Sequence, residues 1–111
     1  MEKGLLEIAY SNQFFVDLTE IYSYGFETFG IKTADAFTDD ILFRTERLTQ
    51  DYDIYPECRH LETKSAMYRN IILGKYLIIY RIKVERVEIL TILHGSRSIS
   101  KIKRARGIKT D

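Results

Sequence analysis

The chain has 111 residues, enough for one domain whose core can form without disulfides or metal. Its 45% hydrophobic and 30% charged content excludes wholesale disorder, no run approaches the roughly 18–20 apolar residues of a membrane span, and a single cysteine, Cys58, excludes internal disulfides and multi-cysteine metal frameworks. The net charge of +1 conceals a division: residues 1–63 hold 5 basic and 13 acidic side chains, whereas residues 64–111 hold 12 and 3. Halves of opposite sign point either to a surface for an anionic partner or to mutual attraction on folding.

The first residues, Met1-Glu2-Lys3-Gly4, lack the basic-then-apolar layout of a signal peptide, and a lone thiol suits a reducing compartment, so the expected address is the cytoplasm. Residues 4–10, short and apolar, read as a strand bounded by Ser11-Asn12. Ser11 is placed to cap a helix over 12–29, in which Phe14, Leu18, Ile21, Tyr22, Gly25 and Phe29 recur at three- and four-residue intervals. Gly30 stops it. A second helix is expected from about Thr33 to Tyr52, with Ala34, Phe37, Ile41 and Leu48 on its apolar face, and the short connection makes the two an antiparallel hairpin. Residues 51–65 contain Pro56, show no helical period and read as a loop.

The period then falls to two. Residues 66–73, 76–82 and 86–94 read as three strands of a meander, with Gly74-Lys75 forming a two-residue hairpin turn and Lys83-Val84-Glu85 a second turn. The order β-α-α-β-β-β predicts an α+β fold: a helical hairpin packed on a mostly antiparallel four-stranded sheet. Residues 1–96 are read as the globular body and residues 97–111 as a basic tail of the same domain, part helix and part disordered.

Strand alternation puts Leu77, Ile79 and Arg81 on one face of the second strand, and Glu88, Leu90, Ile92 and His94 on one face of the third. Arg69, Arg81, His94 and Arg97 are therefore candidates for one cationic cluster. Arginine offers paired planar donors to phosphate and histidine exchanges a proton near neutral pH. The competing reading pairs Arg69 and Arg81 with Glu88, Glu85 or a helix carboxylate. In the tail, Arg97, Lys101, Lys103, Arg104, Arg106 and Lys109 face one anion, Asp111, and fit phosphate neutralisation or an acidic protein partner. The tail has no aromatic residues for base stacking. Tyr68, Tyr76 and Tyr80, at alternating strand positions, read as packing groups. There is no P-loop, Gly-x-Gly-x-x-Gly, His-Glu-x-x-His or Gly-x-Ser-x-Gly motif, and no cofactor or metal is expected.

The run Tyr68-Arg69-Asn70-Ile71-Ile72, the strand Gly74-Lys75-Tyr76-Leu77-Ile78-Ile79-Tyr80-Arg81-Ile82 and the ending Val87-Glu88-Ile89-Leu90-Thr91-Ile92-Leu93-His94-Gly95-Ser96-Arg97 resemble the RelE/ParE superfamily of toxins from bacterial type II toxin–antitoxin modules, in its ParE-like, plasmid-stabilisation branch. Residues Phe15–Tyr22 are similar to the first helix of that family, and the resemblance spans about residues 5–100. It implies a growth-inhibiting protein that binds a cellular target, DNA gyrase in the ParE-like branch, and forms a hetero-oligomer with a cognate antitoxin protein. Arg69, Arg81, Arg97, Lys101, Lys103 and Arg104 are the positions that it and the charge pattern assign to target or antitoxin binding. The RelE-like branch implies the alternative: ribosome-dependent, metal-independent mRNA cleavage, with Arg69, Arg81 and Arg97 holding phosphate and His94 moving protons. Ribonuclease members often carry an arginine where this chain has Leu77, and no tyrosine follows Tyr80. A third reading is a module that binds its antitoxin but has lost toxicity.

Overall fold

In a computed structural model, which describes residues 4–110, strand β1 (Glu7–Tyr10) leads into helix α1 (Asn12–Phe29) and helix α2 (Ile31–Glu46), followed by a single turn, α3 (Leu48–Asp51). Three strands, β2 (Tyr68–Leu73), β3 (Tyr76–Ile82) and β4 (Arg86–His94), and a short helix, α4 (Ile99–Arg104), complete the fold. Met1–Lys3, on which the signal-peptide reading rests, and Asp111 lie outside the described residues. The sheet order is β1-β4-β3-β2: β1 runs parallel to β4, and the other pairs are antiparallel. The α+β architecture and the order β-α-α-β-β-β are those expected.

Ser11 caps α1, its Oγ accepting the Phe14 backbone N–H at 2.9 Å, and its hydroxyl also donates to the Leu90 carbonyl. One side chain thus starts the helix and ties it to β4. Gly30 takes φ +93°, a conformation open to glycine, and alone connects the two helices, so α2 starts at Ile31 rather than near Thr33. Gly25 lies 3.6 Å, measured from an ideal Cβ, from the Ala34 Cβ, and small residues at both positions let the helices approach closely. Of the apolar stripe on α1, Phe14 and Leu18 are buried and Ile21 half-buried, but Phe29, at the hairpin tip, is 65% exposed. The second helix is interrupted at Arg47, and α3 carries the chain to Tyr52.

The hairpin covers one face of the sheet. Phe14, Leu18, Ile41 and Leu48 meet Ile71, Ile78, Tyr80, Val87, Ile89 and Ile92 there. The other face carries a smaller cluster, Cys58, Leu61, Tyr68, Ile79 and Leu90, covered by Ile102 of α4 and Ala105 of the following 3-10 turn (Ala105–Gly107). The segment after residue 96 is therefore a packed part of the domain through Ile108, where the sequence reading expected a partly disordered tail. Its apolar side chains at 102, 105 and 108 recur every third residue, and a six-cation background hides so short a signal.

One irregularity decides where side chains point. Ile79 pairs with Thr91 and Tyr80 with Ile89, so Leu90 is an extra residue in β4. Such a bulge reverses the alternation beyond it. Val87 and Ile89 face the helices before it, and Ile92 and His94 face them after it, beside Ile78 and Tyr76. The unbroken alternation read from sequence had grouped Ile92 and His94 with Glu88 and Leu90.

Candidate functional site

The four residues proposed as one cationic cluster do not converge. Arg81 faces the α4 side. Its guanidinium meets the Glu88 carboxylate at 2.6 Å, donates to the Tyr68 hydroxyl at 3.3 Å, and reaches the backbone carbonyls of Arg106 at 3.3 Å and Ile108 at 2.9 Å. Glu88 also accepts from Arg86 at 2.6 Å and from the Thr110 hydroxyl at 2.8 Å. Burial alone would raise the Glu88 carboxyl, but the hydrogen bonds from Thr110, Arg81 and Arg86 hold it below the usual range. Burial likewise disfavours the Arg81 charge, and its bonds to Tyr68 and Glu88 overcome that. Arg81 thus straps the C-terminal segment to the sheet, and the pairing with Glu88 is the competing reading drawn from the sequence.

Arg69 pairs in register with Tyr80 and faces the opposite side. It donates to the carbonyls of Asp53 at 3.0 Å, Tyr55 at 2.9 Å and Ala66 at 3.1 Å. The Tyr80 hydroxyl donates to the Tyr52 carbonyl at 2.7 Å. Together they pin the loop between α3 and β2. That loop carries no ladder of its own beyond one bridge between Glu57 and Arg69, so its carbonyls need these donors.

His94 and Arg97 do share a place. An open groove of about 1110 Å³ runs between the hairpin and the end of β4, and both residues line it. Its floor is apolar and aromatic, with Ile21, Ala34, Phe37, Tyr76 and Ile92. The His94 ring stands edge-on to Tyr76, with centroids 5.6 Å apart. His94 Nδ1 lies 2.7 Å from the Ser96 Oγ and 3.2 Å from the Ser96 backbone nitrogen, which fixes the ring at the start of the turn. Gly95 follows His94: its N–H donates to the Lys75 carbonyl at 2.6 Å, and a Cβ there would stand 3.3 Å from that oxygen. This contact sets Lys75, at the turn between β2 and β3, beside Arg97.

Lys75, Arg97 and Lys101 thus stand on one rim of the groove, exposed and without an ion pair among the described residues. Asp17 and Glu20 of α1 stand on the other. Lys103 and Arg104 are exposed on α4. Sequence reasoning passed over Lys75, which becomes a rim residue only through the pairing at Gly95. It also gave Asp17 no role. Asp17 Oδ2 instead accepts from the Thr91 hydroxyl and from the Ile92 backbone N–H at 2.9 Å. β1 pairs with β4 only as far as Ile89, so the Ile92 N–H has no strand partner on that side, and no local signal marks Asp17 as the acceptor.

The arrangement offers a bipolar groove with a lone histidine, a cationic rim and no gathered acid–base pair. Among the described residues no group of His, Cys, Asp or Glu is placed to hold a metal ion, and no helix is long and apolar enough to cross a membrane. A search of curated proteins finds no match. Among solved structures the chain is similar to one of the "Chromosomal ParDE TA system from P. aeruginosa", with TM-score 0.67 and 21% identity over 81% of this chain and 96% of that one. At that identity the likeness shows the shared fold. Residues 8–99 match the family model described as "ParE toxin of type II toxin-antitoxin system, parDE", from β1 through the start of α4, and the chain belongs to that toxin family.

Proposed function

We propose that this member of the ParE toxins arrests growth by binding DNA gyrase in the cytoplasm, and that a cognate antitoxin protein neutralises it by forming a hetero-oligomer that masks the same surface. The observation that carries binding over RNA cleavage is the fate of the arginines. Arg69 and Arg81 are engaged with backbone carbonyls and Glu88 on opposite faces of the sheet, and neither is available to a substrate phosphate. Arg97 and Lys101 on the groove rim, with Lys103 and Arg104 beyond it on α4, remain for an acidic surface of target or antitoxin. Arg69 and Arg81 support that surface by fixing the loop and the C-terminal segment behind it.

Ribosome-dependent mRNA cleavage is the second reading, favoured by one observation: His94 and Arg97 line the same groove. There Arg97 would hold phosphate and His94 would move the proton.

Induction of the chain without its antitoxin is expected to arrest growth, and cells that keep dividing would indicate a module that has lost toxicity. Purified protein is expected to inhibit supercoiling by gyrase and to leave ribosome-bound mRNA intact; the reverse pair of results would replace the first reading by the second. Arg97→Ala is expected to weaken growth arrest with no change in folding. An unaltered phenotype would remove Arg97 from the surface.

A further inference from the structure

The outer side of α1, turned away from the sheet, carries a second apolar row. Phe15, Thr19, Tyr22, Phe26 and Phe29 follow at intervals of four, three, four and three residues, the spacing of a coiled-coil seam. Phe15, Phe26 and Phe29 are 48%, 47% and 65% exposed. The Tyr22 and Phe26 rings stack at 6.4 Å, and Thr19, whose hydroxyl donates to the Phe15 carbonyl, interrupts the aromatic row.

Acidic residues flank it on the α2 side. On α2, Asp35, Asp39, Leu42 and Glu46 form a row at the same spacing. The Tyr22 hydroxyl donates to Asp35 at 2.9 Å, which sets that row beside the seam at one end. At the other end, Tyr10 touches Phe15 and feels the charge of Glu46. Lys32, at the hairpin turn, is the cation that helical position brings nearest, and Arg44 is turned away and paired with Asp40 at 2.9 Å.

We propose that this seam seats an amphipathic helix of a partner protein that carries Lys or Arg beside its apolar stripe. Charge selects that occupant. A second copy presenting the same seam would set Asp35, Asp39 and Glu46 against themselves, and nucleic acid or an anionic membrane would meet the same repulsion. The basic α4 of another copy is no substitute, because six residues with Ile102 turned into its own core leave no stripe to offer. The apolar row contributes the burial, and the carboxylates set partner and register as e and g positions do in coiled coils. Of the seam residues only Phe29 also lines the groove.

The test uses the full chain and two synthetic helices of about three heptads, each with Leu at a and d, one with Lys and one with Glu at e and g. The Lys-flanked helix is expected to bind at least about tenfold more tightly, with the preference shrinking as salt screens it. Phe26→Ser, at a half-exposed position where folding is unaffected, is expected to abolish binding. The double variant Asp39→Lys, Glu46→Lys is expected to favour the Glu-flanked helix. Equal binding of both helices, binding of neither, or Phe26→Ser binding like the parent chain would overturn the proposal. So would a dimer of the chain alone, seen by sedimentation and lost in Phe26→Ser. Growth arrest is not a readout, so failure of the toxin reading and failure of this one are separate results.

Discussion

The two faces of the sheet are covered in different ways. On one, helices of 18 and 16 residues bring Phe14, Leu18, Ile41 and Leu48 onto an apolar surface, and burial of this kind contributes about 1.5–3 kcal/mol per large side chain. On the other, a six-residue helix and a 3-10 turn supply Ile102, Ala105 and Ile108. So short a helix is not stable by itself, and three modest side chains are a small anchor. A buried polar network supplements it: Arg81 holds the last carbonyls, and Glu88 holds Arg81, Arg86 and Thr110. The difference explains why conspicuous arginines in the basic half need not be functional. Where apolar area is scarce, a guanidinium with several donors can organise a segment that has few other contacts.

That contrast can be broken from either side. Phe14→Ala should cost about 3–5 kcal/mol in urea unfolding, because a fully buried ring at the centre of the hairpin face leaves a cavity. Glu88→Ala should cost a similar 3–5 kcal/mol by leaving Arg81 buried without its partner, whereas the double change Arg81→Met, Glu88→Leu should recover only the part due to the unpaired charge, since the carbonyls of Arg106 and Ile108 still lose their donor. If the single Glu88 variant unfolds like the parent chain, the network does not secure the second face. Asp17→Ala should cost about 1–3 kcal/mol, since the Thr91 hydroxyl and the Ile92 N–H at the bulge lose their acceptor.

Two smaller effects concern pH and thiol chemistry. The Glu88 carboxyl is held below its unfolded value, so its contribution is present above the ordinary carboxylate range and is lost as pH falls through the folded value. Stability measured from pH 7 into that acid range should fall less steeply in Glu88→Gln than in the parent chain. Burial, aided by Glu62 and Glu57, pushes the Cys58 thiol up to about 11, so alkylation at neutral pH should proceed only at the rate of opening. Alkylation as fast as that of an unfolded control would show that the α4 side is not closed over Cys58.

Much of the fold was legible because its signals are local. Ser11 and Gly30 bracket α1, and the expected limits 12–29, 76–82 and 86–94 are those observed. The motifs that resemble the toxin family lie within β2, β3 and β4, and the family match extends from residue 8 to residue 99. The site was less legible. Arg97 and His94 line one groove, but Arg69 and Arg81 went to opposite faces. Adjacent register partners, Tyr80 for Arg69 and Tyr68 for Arg81, decide this, and register is a property of two strands rather than of one.

By itself the sequence determined which segments become helix or strand, since caps, glycines and the period of apolar residues act within a few positions of the chain. It also determined that charge is divided between an acidic hairpin and a basic sheet with its C-terminal segment. Only the tertiary structure decided which charges are free. One extra residue at Leu90 turned His94 toward the hairpin, the Gly95 contact drew Lys75 to the rim, and Glu88 claimed Arg81. Each outcome depends on a partner distant in sequence, because a side chain's direction in a sheet is fixed by pairing and its charge is answered by whatever the fold brings within hydrogen-bonding reach.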